Sequence, residues 1–277
     1  MLTGYLSILL PLFPTALGTL APKSQQCRCS YGDPCWPTDA EFSSLASLLS
    51  QPLLHPVPTA YPCYPSSAPV GNCSEVQALS SYGTFRSDLP GSMQIANFET
   101  YLFPNGTIDA CYLNTTLNIP CKQGSVPPIG VDIRNAEDAQ AAINFANQKN
   151  LRLVIKNTGH DHLGRSTARG GFLLWTHHLK DKAYNAAFTP QGGPSTLTYE
   201  GRIEQISIDL IRAHIFLSAV TFGAGVQWHE AYDYVDEQGR FIVGGLSGGG
   251  SVGSAGGWVM GGGHSAFSPS LGLGTYR

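Results

Sequence analysis

Charged residues are scarce in this 277-residue chain, and neither sign dominates. Asp, Glu, Lys and Arg together make up 13% of the residues, and the formal net charge at pH 7 is −3. A domain that binds nucleic acid carries clustered Lys and Arg on one face, and the sequence has no such cluster. The composition therefore predicts that nucleic acid is not a partner.

Long hydrophobic runs are also missing. The apolar run at residues 5–13 is far shorter than the roughly 20 residues of a transmembrane helix, and small residues ending in Ala21 follow it. This layout predicts a signal peptide at residues 1–21, a secreted mature protein and no membrane partner. Because no Lys or Arg precedes the run, a hydrophobic start buried in the fold is the alternative.

Cysteine is absent after Cys121. The seven cysteines are Cys27, Cys29, Cys35, Cys63, Cys73, Cys111 and Cys121. Such clustering predicts disulfides in one Cys- and Pro-rich extension, residues 22–123, with at least one thiol left over and the pairing open. A metal site at Cys27 and Cys29 is the weaker interpretation. Glycosylation sequons at Asn72, Asn105 and Asn114 place this extension at the surface.

The pattern after the extension predicts two β-α-β units. In the first, residues 128–133 form a strand, Asn135 caps a helix, Asn150 ends it and residues 151–155 form the next strand. In the second unit, a helix over residues 228–238 follows the strand that ends at Phe222, and a short strand at residues 241–243 comes next. Each unit delivers a loop, at 157–160 and at 223–225, toward one place.

Glycine recurs through residues 244–274, where Val252, Trp258, Val259, Met260 and Phe267 interleave with it. A flexible linker would be polar, so these apolar residues favour a backbone that closely approaches a ligand. Glycine loops present N–H groups to phosphate oxygens, which indicates a nucleotide cofactor. The run does not contain the G-x-G-x-x-G fingerprint of a dinucleotide-binding helix.

Five sequence blocks in order resemble the FAD-binding domain of the vanillyl-alcohol oxidase and p-cresol methylhydroxylase-type flavoproteins, especially secreted fungal oxidases related to berberine-bridge enzyme. The blocks are residues 157–161 (NTGHD), 163–166 (LGRS), 175–180 (WTHHLK), 223–227 (GAGVQ) and 253–265. The resemblance implies an α+β fold, a two-lobed FAD-binding domain at residues 124–277, preceded by the disulfide-rich extension.

The resemblance also implies which residues hold the cofactor. The candidates are Asn157, Thr158, Gly159, His160, Asp161, Gly164, Arg165, Ser166, Gly225, Gly253, Gly256, Gly257, Gly263, His264 and Ser265. His160 stands where relatives bond a histidine covalently to the flavin. Many relatives add a cysteine tether, but Gly249 occupies that position here, so FAD attachment through His160 alone is expected.

The remaining histidines raise the question of a metal site. They are His162, His177, His178, His214, His229 and His264. None belongs to an H-E-x-x-H motif, and His177 and His178 on a strand would point to opposite faces. We therefore predict no metal centre, and place His264 beside the flavin.

The chain departs from the family pattern at two places. Residues 203–218 form an apolar insertion, interpreted as translated intron; an amphipathic helix with Ile203, Ile206, Leu210 and Ile211 on one face is the alternative. The chain also stops where relatives continue into a substrate-binding domain, so we expect the catalytic base to lie outside it and this chain to be poorly active.

The predicted function is an FAD-dependent oxidase that acts on a small alcohol, sugar or secondary metabolite, with hydride passing to the flavin and electrons to oxygen. A non-catalytic flavin-domain remnant and a secreted binding module are the alternatives. The sequence names neither the substrate nor the oligomeric state.

Overall fold

The computed structural model describes residues 27–65, 71–189, 196–198, 214–216 and 218–274, so the predicted signal peptide lies outside the described residues. The helices are α1 Asp39–Ala46, α2 Cys73–Leu79, α3 Gly83–Ser87, α4 Ala136–Gln148, α5 Trp228–Glu237 and α6 Ser268–Leu271. The strands are β1 Tyr101–Leu102, β2 Ile108–Asp109, β3 Ile129–Asp132, β4 Leu153–Lys156, β5 Phe172–Trp175, β6 Lys182–Asn185, β7 Thr196–Thr198, β8 His214–Phe216 and β9 Ala219–Phe222. None of the described helices could cross a membrane, since each is too short or too polar.

The first lobe is built on a parallel sheet of three strands in the order β3-β5-β4. Ile129 and Leu153 both lie opposite Phe172, which is fully buried at the centre of the sheet. This arrangement confirms the first predicted β-α-β unit. The second strand begins two residues later than predicted, at Leu153, and includes Lys156.

Local capping explains the length of α4. The Asn135 side-chain oxygen accepts from the Asp138 backbone N–H at 2.7 Å, as an N-cap residue should. At the other end Asn150 has φ 52°, the left-handed conformation that asparagine tolerates. Both predicted ends of the helix are therefore confirmed.

The Cys-rich extension shares the core of the first lobe. The Phe42 ring of α1 lies 5.4 Å from that of Phe145 and 6.3 Å from that of Phe172, between centroids. Backbone hydrogen bonds of 2.9 and 3.0 Å also join Leu54 to Gly130 of β3. The extension thus packs directly against the lobe that carries residues 157–166.

Three disulfides stabilise the described part of the extension. They are Cys29–Cys35, Cys63–Cys73 and Cys111–Cys121. Cys27 is free and exposed, so the odd cysteine is the first one. Each bridge joins neighbouring cysteines, so the disulfides constrain short loops rather than distant parts of the chain. The three sequon asparagines are exposed, and glycosylation there stays a prediction.

The second lobe differs from its prediction. Strand β9 pairs with β6 in antiparallel register, Lys182 opposite Phe222, and α5 follows it. Residues 241–243 form no strand, and the side chain of Phe241 is 92% exposed. The predicted strand at 241–243 was therefore wrong: three apolar residues alone do not form a strand without a neighbouring strand to pair with.

The suspected insertion at 203–218 falls mostly outside the described residues, including Ile203, Ile206, Leu210 and Ile211. Its described part includes β8, which pairs antiparallel with β7, Thr196 opposite Phe216. Residues 214–216 of the predicted insertion thus pair with β7. The choice between translated intron and native helix stays a prediction.

Candidate cofactor site

Three loops converge where the two lobes meet. The Asn157 side-chain amide, directly after β4, donates to the backbone carbonyl of Ala224 at 2.7 Å. Backbone bonds then join the second loop to the glycine run: Ser254 N–H donates to Val226 C=O at 2.8 Å, and Trp228 N–H to Val252 C=O at 2.9 Å. The structure thus brings together three of the regions that the sequence selected.

The approach of these loops depends on glycine. A Cβ at Gly253 would lie 2.1 Å from Asn157 Nδ2, and one at Gly256 would lie 2.2 Å from the Ala224 oxygen. At Gly225 a Cβ would lie 2.2 Å from the His177 carbonyl oxygen. Because real Cβ atoms do not come this close, the loops form a cradle that only glycine permits.

Polar atoms without partners lie in the same region. Asn157 Oδ1, Gln227 Oε1, Trp228 Nε1 and His177 Nδ1 are buried and have no hydrogen-bond partner in the described part of the chain. Buried polar atoms are nearly always paired, so such a group of orphans indicates an absent polar partner. The hydroxyls of a nucleotide cofactor could donate to Asn157 Oδ1, and the residues present therefore fit FAD.

His160 lies at the edge of the cradle, half-buried. Its Nε2 lies 2.8 Å from the hydroxyl oxygen of Ser251 in the glycine run. Burial, with the nearby His162 contributing, lowers the pKa of His160 to about 4. The ring is consequently neutral at ordinary pH, with one nitrogen free of a proton and able to act as a nucleophile.

The backbone that carries His160 is held by the extension. Gln94 donates from its side chain to the Thr158 carbonyl at 3.0 Å and from its backbone to the Gly159 carbonyl at 3.0 Å. Gly159 has φ 81°, which favours glycine. Gln94 was not selected from the sequence, because nothing in its local pattern connects it with a loop 64 residues away.

A buried ion pair lies under this loop. Arg86 and Glu99 form a salt bridge, and Glu99 also accepts from the Met93 N–H at 3.0 Å. Beside them the fully buried Lys156 donates to the Leu89 carbonyl at 2.6 Å. Burial lowers the pKa of Lys156 to about 7, although the Glu99 charge opposes that change. Through Lys156, β4 is therefore hydrogen-bonded to the extension.

The second half of the loop that follows β4, residues 161–166, turns toward solvent. Arg165 donates to the Asp161 carboxylate at 3.0 Å, and this pairing holds the Asp161 pKa below its usual range. Gly164 has φ 70°, and a Cβ there would meet the Phe98 ring at 2.6 Å. Ser166 is half-buried at the end of the loop. Asp161 and Arg165 therefore bond to each other, and only residues 157–160 contact the other loops through the described hydrogen bonds.

The last candidate residues, Gly263, His264 and Ser265, lie apart from the loop at 157–166. Gly263 and Ser265 line an apolar cavity of about 410 Å³, together with Phe222, Trp228 and Trp258. His264 is exposed, and its carbonyl accepts from the Trp258 indole N–H. In the described chain no hydrogen bond joins residues 263–265 to the 157–166 loop. A Cβ at Gly257 would meet nothing within 4 Å, so close approach does not require glycine there.

The histidine pair that follows β5 is not on a strand, contrary to expectation. His177 and His178 lie in a turn, where His177 Nε2 is 2.9 Å from an Asp88 carboxylate oxygen and His178 Nδ1 is 2.8 Å from Asp132. Among the described residues, the group close enough to share a metal ion is Cys29, Asp33 and Cys35. Two of its members form a disulfide, so they offer no thiolate.

Comparison with known proteins agrees with this geometry. A family described as FAD binding domain matches residues 180–275. An uncharacterized FAD-linked oxidoreductase of Arthroderma benhamiae is 36% identical over 99% of this chain and 42% of its own length. The FAD-linked oxidoreductase notD of an Aspergillus species is 37% identical over 90% of this chain and 38% of its own length.

Solved structures give the same result. The crystal structure of the VAO-type flavoprotein MtVAO615 from Myceliophthora thermophila is 33% identical, with a TM-score of 0.71 over 90% of this chain and 40% of that one. MtVAO713 from the same fungus is 27% identical, with a TM-score of 0.68 over the same shares. The chain belongs to the vanillyl-alcohol oxidase and p-cresol methylhydroxylase-type FAD-linked flavoproteins, with their α+β FAD-binding fold. It spans about two fifths of the length of the relatives it matches.

Proposed function

We propose that this chain supplies the FAD site of an oxidoreductase, and that His160 is the covalent anchor of the flavin. The observation that supports this most is the convergence of three glycine-dependent loops on Asn157, beside a neutral histidine. Several relatives are named FAD-linked oxidoreductases, and one of them, VAO615 of Thermothelomyces thermophilus, is named a flavoprotein oxidase.

Different residues of the site would contact different groups of the cofactor. Asn157 Oδ1 would accept from a cofactor hydroxyl, and backbone N–H groups near Gly253 and Gly256 would donate to phosphate oxygens. The Gly225 N–H already donates to the Leu179 carbonyl at 2.9 Å, so Gly225 would contribute close approach rather than a donor. FAD, when bound, supplies the hydride acceptor. The exposed Arg165 and His264 would meet only cofactor atoms that extend out of the cradle.

The covalent step suits a neutral imidazole. Attachment joins a ring nitrogen of His160 to the flavin 8α-carbon and releases the imidazole proton and one methyl proton. Dioxygen would take up the two electrons removed and the two released protons and become hydrogen peroxide. Because burial keeps His160 unprotonated, its nucleophilic nitrogen is available throughout the neutral pH range.

The proposed substrate class, a small alcohol, sugar or secondary metabolite, rests on the family resemblance alone, as does oxygen as the proposed electron acceptor. The proposed secretion rests on the signal-peptide layout of residues 1–21 and on the clustered cysteines. The name of the oxidase relative supports oxygen as the acceptor. Substrate choice needs groups that orient the reacting carbon, and the described residues offer no such set beside His160. A panel of alcohols and aldoses assayed for hydrogen peroxide tests this part.

The covalent anchor is tested on the purified full chain. After acid precipitation we expect yellow colour in the pellet and an FAD-sized mass addition on the His160 peptide. His160→Ala should lose the adduct, while the exposed neighbour variant His162→Ala and the free-thiol variant Cys27→Ser should keep it. Flavin released entirely into the supernatant by a folded, flavin-loaded protein would contradict attachment. A folded protein that never takes up FAD would contradict the proposed function itself.

A further inference from the structure

His160 and Ser251 form a pair that joins two cofactor loops 91 residues apart. The Nε2 to Oγ distance is 2.8 Å, and Ser251 is only 1% exposed. The His160 ring nitrogen is the short-range partner of this buried serine hydroxyl. The hydroxyl fixes the orientation of the imidazole ring, because the ring cannot rotate without breaking this bond.

Residues of the Cys-rich extension pack against the His160–Ser251 pair. A Cβ at Gly83, the first residue of α3, would lie 2.3 Å from Ser251 Oγ, so glycine there permits the hydroxyl to sit against the helix. Gln94 donates to the Gly83 carbonyl at 2.9 Å and to the Thr158 carbonyl at 3.0 Å. The same side chain therefore ties the helix that encloses Ser251 to the loop that carries His160.

The partners available favour one direction for the hydrogen bond. A neutral imidazole carries one proton, on either nitrogen. Among the described residues no group bonds His160 Nδ1, whereas Ser251 Oγ has a second neighbour, Ser247 Oγ, at 3.5 Å. If Nε2–H donates to Ser251, the serine can direct its own hydrogen toward Ser247. The opposite direction would leave an Nδ1–H without a protein acceptor.

We infer that Ser251 is a positioning residue for His160: its hydroxyl accepts from Nε2–H and leaves Nδ1 as the bare nitrogen of the ring. This inference rests on the proposed function, in which a ring nitrogen of His160 bonds the flavin 8α-carbon, and it specifies that nitrogen as Nδ1. Once Nδ1 has formed the bond, the ring proton remains on Nε2, hydrogen-bonded to Ser251, until the ring releases it to solvent. Electrons and the methyl proton leave as described above, with dioxygen as the oxidant.

The tautomer is measured first, on flavin-free full chain labelled with ¹⁵N-histidine. Nitrogen chemical shifts should show the Nε2–H form of His160 in the wild type and in Ser251→Thr, and a mixture in Ser251→Ala. Ser254→Ala is the matched control, since that hydroxyl belongs to the same loop and bonds Val226 instead of His160. A wild-type ring in the Nδ1–H form would overturn the inference, whether or not the variants fold.

The attachment rate is measured second, by mixing flavin-free protein with FAD and following the mass over time. One lost neutral hydrogen bond predicts attachment about tenfold slower in Ser251→Ala, with recovery in Ser251→Thr. Attachment at the wild-type rate in Ser251→Ala would overturn the inference. If the wild type never gains FAD, the proposed function fails, and the tautomer difference between wild type and Ser251→Ala still decides the role of Ser251.

Discussion

Gly253 and Asn157 approach so closely that a Cβ on residue 253 would lie 2.1 Å from the Asn157 side-chain nitrogen. The φ of Gly253 is −65°, a value open to any residue, so backbone conformation is not what requires glycine here. The requirement is space: Asn157 must pass residue 253 to reach the Ala224 carbonyl. The contact therefore links the glycine run directly to the loop that carries His160.

Gly253→Ala should open the cradle. The added methyl must displace Asn157, which breaks its bond to Ala224, and we expect a loss of about 1–3 kcal/mol in unfolding free energy. Urea unfolding followed by fluorescence measures the loss, and flavin absorbance of the purified protein measures cofactor retention. Gly257→Ala is the control for stability, because its Cβ would meet nothing within 4 Å. Equal stability of the two variants would contradict the packing argument.

Glu99→Ala should be strongly destabilising. It leaves the buried Arg86 guanidinium without its partner, and breaking a buried ion pair costs about 3–5 kcal/mol. Thermal unfolding should show the effect. Lys149→Ala, which breaks the more exposed pair with Glu41, should change stability little. A small effect of Glu99→Ala would mean that Arg86 finds water or another acceptor.

Acid should destabilise the protein through His177. Burial, with the Lys180 charge adding to it, lowers its pKa to about 4, while an unfolded histidine titrates near 6.5. The unfolded chain then binds more protons between these values, so stability is full above about pH 6.5 and falls toward pH 4. The loss from this residue is at most about 3 kcal/mol.

The measurement for this prediction is the unfolding free energy at several pH values in wild type and His177→Gln. The variant should show a smaller loss between pH 6.5 and 4.5, because it removes one group that protonates on unfolding. Parallel pH profiles of the two proteins would show that His177 is already protonated in the folded state near pH 5.

Deleting residues 203–218 should raise the soluble yield. Most of that segment is apolar, and any apolar segment that the fold leaves exposed promotes aggregation. Expression of the full chain and of the deletion, compared by soluble fraction, checks this. The deletion also removes β8, whose pairing with β7 is local. If the deletion leaves the protein unfolded, the segment belongs to the native core.

Much of the first lobe could be predicted from sequence, because its signals are local. The caps of α4 depend on Asn135 and Asn150, each acting within a few residues of itself. The prediction of a strand at 241–243 was wrong for a related reason. A short apolar run has only a propensity to form a strand. Whether it does so depends on a neighbouring strand to pair with, which the run itself does not specify.

The sequence alone determined the core elements of the first lobe, a capped helix and the strand on either side of it. It also determined the residue types of the cofactor loops: Asn157 to His160 after the second strand, and a glycine run able to approach them. The tertiary structure alone decided that Gln94 holds the Thr158 backbone, and that Ser251 rather than another serine of the run bonds His160. Caps and periodicities act over one or two helical turns, whereas these contacts close loops of 64 and 91 residues. Which residues meet across such loops depends on how the lobes and the extension pack, and no local pattern encodes that.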